Sequence, residues 1–181
     1  MNLKRNKWIN LATAIALLTF AYFIYYAIVS QTLSYIMDSV LFITLTLFFY
    51  FMYKKWNFTL PIYIFVLIPL IAHNAGVLGY YNKSPLPIQW DHITHFLPMF
   101  GFSLLFFQNI NKYMDKRFLT SKNFLLILIA LFGSIGIGSL IENAEFFGYL
   151  TFGFGPGGFM FGEVGIAPSI TMVLSSGFQS G

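Results

Sequence analysis

Cysteine is absent from the 181 residues, which excludes disulfides, thiolate metal sites and cysteine nucleophiles together. Charge is almost as scarce. Only 9% of the residues are Asp, Glu, Lys or Arg while 57% are hydrophobic, so a water-soluble globule would have too little polar surface to clothe it. No long polar stretch is present either, and one integral membrane domain over residues 1–181 is therefore expected. The net charge of +4 comes from basic residues scattered over short connections, without a basic stripe carrying aromatic readers, and nucleic acid is not an expected partner. The lipid bilayer is.

What the chain does have is long apolar runs. With about 20 residues at 1.5 Å rise needed to cross a bilayer, five strong spans fall at about 8–29, 35–53, 60–80, 92–110 and 124–149. A sixth, weaker run at 164–181 contains Gly165, Pro168, Ser175, Ser176 and Gly177 and ends without a basic anchor. The expectation is an all-α polytopic transmembrane bundle of five to six spans. Lys4, Arg5 and Lys7 precede the first run much as in a secretory signal, but that run is longer than a signal core and lacks a small-x-small cleavage site, so a retained helix is expected.

Orientation is read from the basic residues, which are retained in short cytoplasmic loops. A cytoplasmic N-terminus puts Lys4, Arg5, Lys7, Lys54, Lys55, Lys112, Lys116, Arg117 and Lys122 inside and leaves Lys83 alone outside. The expected location is the cytoplasmic (inner) membrane.

Against this apolar background the ionisable residues stand out, because such a group costs several kcal/mol in lipid unless paired, hydrated or metal-bound. Asp91, His92 and His95 open the fourth span, Glu142 and Glu145 approach the outer end of the fifth, and His73 and Asn74 lie late in the third. All fall within roughly 10 Å of helix from one membrane face. Asp91 and His95 are i,i+4 neighbours on one helix face, and Glu142 and Glu145 are i,i+3 neighbours on another. Ala130, Ser134, Gly138 and Glu142 recur every four residues, and such a small-residue stripe predicts close approach to another helix with the acids turned inward. Pro69 and Pro98 flank the cluster and predict released backbone carbonyls there. The segment from Gly153 to Gly158 reads as a turn rather than an anion cradle, since no basic residue accompanies it.

The patterns Asp91-x-x-Thr94-His95-Phe96 and Gly138-Ser139-x-x-Glu142-x-x-Glu145 resemble the YjdF-like family of small inner-membrane proteins, distantly similar to VanZ-like proteins. The resemblance runs from about residue 90 onward. It implies that Asp91, His95, Glu142 and Glu145 are the positions to carry over, and that His92 is not. Relatives show an Asp-Thr-Met sequence with a further Asp one turn on, where this chain has Ile170-Thr171-Met172 and Leu174, so two acids are replaced in this register. No reaction comes with the resemblance.

Three functions fit these residues. An envelope or partner-interaction role, in which the polar cluster mainly fixes helix packing, is expected first. A metal-dependent membrane enzyme would use Asp91, His95, Glu142 and Glu145 to hold a divalent ion as its cofactor and act on a lipid or envelope ligand. A proton- or cation-coupled transporter would use the same groups as a relay, but no acid or histidine of the cluster lies near the midplane.

Overall fold

The computed structural model describes residues 3–117 and 120–152, and the run at 164–181, with Ile170 and Leu174, lies outside the described residues, as does the 153–158 turn. Among the described residues the chain is helical throughout, and five helices are long and apolar enough to cross a membrane. They are α1 (Leu3–Val29), α2 (Ser34–Met52), α3 (Leu60–Asn74, continued by a 3₁₀ turn at Ala75–Leu78), α4 (Trp90–Ile110) and α5 (Ser121–Phe152). The expected five spans are found, with ends shifted by a few residues. The third differs in kind: it is not one α-helix to residue 80, because regular helix stops at Asn74 and Gly79 takes a left-handed φ of 87° that turns the chain back.

Short connections make neighbours antiparallel. α1, α2 and α3 pack mutually, α4 lies against α3, and α5 rests chiefly on α4. The core between the first four is aromatic and aliphatic, built on Phe20, Phe23, Phe42, Phe49, Phe58 and Tyr63 among others. Outward faces are equally apolar: Phe124, Leu125, Phe132, Leu140, Phe146 and Leu150 of α5 are all exposed. On a protein in water such a surface would be an aggregation hazard, and in hydrocarbon it is the wall that lipid tails solvate.

Two devices fix how α4 lies. Pro69 has no N–H to give to the carbonyl of Phe65, four residues back, and that freed oxygen faces Gly101 of α4, where an added Cβ would come within 2.5 Å of it. The missing side chain at Gly101 lets the helices close over the freed carbonyl. At the other end of α4, Asn109 donates to the carbonyl of Trp56 at 3.2 Å and Gln108 to that of Asn57, tying α4 to the α2–α3 turn. The α4–α5 connection is held by buried Asn123, which donates to the carbonyls of Asp115 and Arg117 at 3.0 and 2.9 Å and accepts from the Asp115 N–H at 2.8 Å.

The small-residue stripe of α5 lies against α4. Ala130, Ser134 and Gly138 are buried, and a Cβ on Gly138 would stand 2.8 Å from the Met99 sulfur. The seam therefore sets the rotation of α5, and that rotation carries Glu142 and Glu145, one and two turns further on, toward the start of α4.

Candidate functional site

His95 stands in the second turn of α4 and gathers acids from two helices. Its Nε2 is 3.3 Å from Asp91 Oδ1, one turn earlier on the same helix. Across the seam, Nδ1 is 3.3 Å from Glu142 Oε1, and Nε2 is 3.8 Å from Glu145 Oε2. One ligand atom each from His95, Glu142 and Glu145 fall within 4.8 Å of one another, so small side-chain movements would bring them onto a shared metal ion. Around a tetrahedral ion with bonds of roughly 2.1 Å, ligand atoms stand about 3.4 Å apart, so the Nδ1–Glu142 separation of 3.3 Å already has that spacing. Asp91 lies beside the other ring nitrogen, where a carboxylate commonly fixes the tautomer of a metal-binding histidine.

Charge does not balance here. Three carboxylates surround one imidazole, and among the described residues the only ion pairs at this end run to His95, while Lys122 and Asp115 pair at the opposite end at 3.0 Å. With all three carboxylates ionised, even a protonated His95 would leave two negative charges.

The remaining sequence candidates divide. His92 is exposed and enters none of the described ion pairs. His73 comes to the site without touching the acids: it is within electrostatic reach of His95 and Asp91, packs edge-on to Phe42 at 5.3 Å, and its Nδ1 is 3.2 Å from the Tyr81 hydroxyl. Trp90 turns into the bundle, donating to the Ala72 carbonyl at 2.9 Å with its ring against Tyr80.

Two residues beside the site, Tyr81 and Asp38, were not singled out from the sequence, and Thr94 entered it only as part of the family motif. Tyr81 folds back over α3 into space that exists only because Gly76 has no side chain, since a Cβ there would lie 2.0 Å from the ring. Its hydroxyl reaches His73 and Thr94 and feels Glu145 and Asp91; burial pushes its ionisation well above the ordinary phenol range, with the Thr94 hydrogen bond opposing. Thr94 itself donates to the Asp91 carbonyl at 2.8 Å. Asp38 of α2 is fully buried and within electrostatic reach of Glu145. Its signal was present: it is the only acid in the apolar run 35–53.

Fold and site together define an integral, multi-pass membrane protein with an anionic histidine–carboxylate cluster near one end of its helices. The chain belongs to the predicted membrane protein family DUF2238, whose model matches residues 11–165 and so takes in most of α1, all of α2 to α5 and the whole cluster. No curated protein and no solved structure matches it.

Proposed function

We propose that the protein is a metal-dependent membrane enzyme whose His95 cluster holds a divalent transition ion. The observation that carries this reading is the convergence of Asp91, Glu142 and Glu145 on one imidazole with, among the described residues, no lysine or arginine ion pair beside them. A cluster serving only to pack helices, or to hold a partner by shape, would balance its charges, because uncompensated carboxylates at a membrane boundary destabilise the bundle. A divalent ion supplies the balance. His95 Nδ1, Glu142 and Glu145 are the ligands in this reading and Asp91 accepts from the other ring nitrogen, an imidazole-and-carboxylate set that suits zinc or manganese. Three protein ligands leave a position for water or substrate, the arrangement of catalytic rather than structural sites.

The cytoplasmic N-terminus expected from the basic residues places the site on the outer face of the cytoplasmic membrane, within reach of lipid headgroups and envelope material. Lipid or envelope phosphoesters and amides are the substrate classes such an ion activates. Kinship with YjdF-like and, more distantly, VanZ-like membrane proteins is part of the same proposal, resting on the two short motifs around His95 and Glu142.

The test is metal content. Protein purified without chelator should carry close to one equivalent of a divalent transition metal, or take one up from added zinc or manganese. His95→Ala and Glu145→Gln should each lose it while remaining folded. A wild-type protein that neither retains nor binds either ion at micromolar concentration overturns the proposal and returns the cluster to a packing or partner-binding role.

A further inference from the structure

Beside the His95 cluster, and within electrostatic reach of its Glu145, α2 and α3 bury a second polar group. Asp38, Ser39 and Asn74 are all fully buried. The Ser39 hydroxyl lies 2.9 Å from the Tyr35 carbonyl, which can only accept, so it donates there. The same oxygen is 2.7 Å from Asn74 Nδ2 and must therefore accept. This fixes the Asn74 amide: its nitrogen faces Ser39, and Oδ1 points away into the interior, buried and without a hydrogen-bond partner. A buried carbonyl oxygen in that state costs about 1–3 kcal/mol unless something supplies positive charge.

Further features add negative potential there. Asn74 is the last residue of α3 before the helix tightens into the 3₁₀ turn at Ala75–Leu78, so it stands near the negative end of the helix dipole. Asp38 is four residues before Phe42, whose ring packs on His73, so the carboxylate stands on the α3-facing side of α2, one turn nearer this end. Glu145 adds negative potential from α5.

We infer that Asp38 and Asn74 Oδ1 form a buried site for a small monovalent cation of sodium's size and hardness. Its donors are oxygens only, which favours a hard ion over the transition metal proposed at His95, and one carboxylate balances one positive charge. A proton on Asp38 would donate a single hydrogen bond. An ion is shared by the carboxylate and the amide oxygen together. The inference does not depend on metal at His95.

The experiment is thermal unfolding of the purified full chain in detergent, comparing sodium chloride with choline chloride at equal ionic strength. Sodium should raise Tm by roughly 3–5 °C per tenfold concentration once its Kd is passed, and choline, too large to enter, should not. Asp38→Asn keeps the shape and removes the charge, and should abolish the response. Should that variant fail to fold, Asn74→Ala, which deletes only the amide, should move the onset to sodium concentrations higher by at least about tenfold. Equal Tm in the two salts, or a sodium response unchanged in Asp38→Asn or in Asn74→Ala, overturns the inference. So does a wild-type Tm that ignores sodium but falls as pH is raised, since that would put a proton on Asp38.

Discussion

Distance and burial disagree about which acid matters more to His95, and the disagreement can be measured. Glu142 is nearer, at 3.3 Å, but its side chain is 61% exposed; Glu145 is farther, at 3.8 Å, but only 17% exposed. Opposite charges 3.3 Å apart attract by roughly 1 kcal/mol at the dielectric of water, and exposed pairs usually return about 0.2–1 kcal/mol. At an effective dielectric of about 20 the 3.8 Å pair attracts by roughly 4 kcal/mol, of which desolvation of the two groups removes a part, leaving about 2. Burial should win. Double-mutant cycles on His95→Ala with Glu142→Gln and with Glu145→Gln, read by unfolding in detergent with chelator at pH about 8, should give a coupling near or below 1 kcal/mol for Glu142 and about twice that for Glu145. Adding zinc should enlarge both, because the carboxylates then act through a shared ion. A larger coupling for Glu142 than for Glu145 in chelator would show that the local dielectric is uniform across the seam and refute the reasoning from burial. Additivity in both cycles, with and without metal, would separate the helices and dissolve the site.

Other outcomes test the bundle. Gly101→Ala places a methyl against the Phe65 carbonyl and should cost about 1–3 kcal/mol, whereas Gly136→Ala, on a face of α5 with open space, should be neutral or raise stability by up to about 1 kcal/mol; equal effects in thermal unfolding would contradict the close approach of α3 and α4. Because the chain has no cysteine, Lys83→Cys should react with an impermeant thiol reagent on intact cells and Lys116→Cys only after permeabilisation, and the reverse pattern would put the His95 cluster on the cytoplasmic face.

The apolar runs show the helices because each must satisfy its own backbone in lipid, which leaves composition and length to do most of the specifying. Asp91, His95, Glu142 and Glu145 were legible for the complementary reason, since a lipid-embedded ionisable group is rare enough to announce itself. The α5 stripe added which way the acids turn, and Gly138 against Met99 is how that information is expressed. What lay hidden depends on contacts between distant segments. Tyr81 belongs to the site only because Gly79 reverses the chain and Gly76 vacates room for its ring, and neither glycine indicates its tenant. The early end of α3 has the same origin, as apolar character continues past Asn74 and only backbone geometry marks the change. Asp38 was visible as an isolated acid, but without histidine or a second acid at helical spacing it had no pattern to join.

That α5 rests chiefly on α4 also bears on how the chain is made. Synthesis runs from the N-terminus, so the first four helices enter the membrane before α5 exists. At that stage His95 already has Asp91, its partner within the same helix, and carries no debt across the bundle. Glu142 and Glu145 arrive last, on a helix whose seat is a row of small side chains along a neighbour already in place. The cluster thus matures only when the fifth helix has inserted to full depth and in the correct rotation. A chain stopped before Ser121 would anchor in the bilayer much as the complete one does, yet hold only one of the three acids around His95, so membrane residence and site competence are acquired at separate moments of biogenesis.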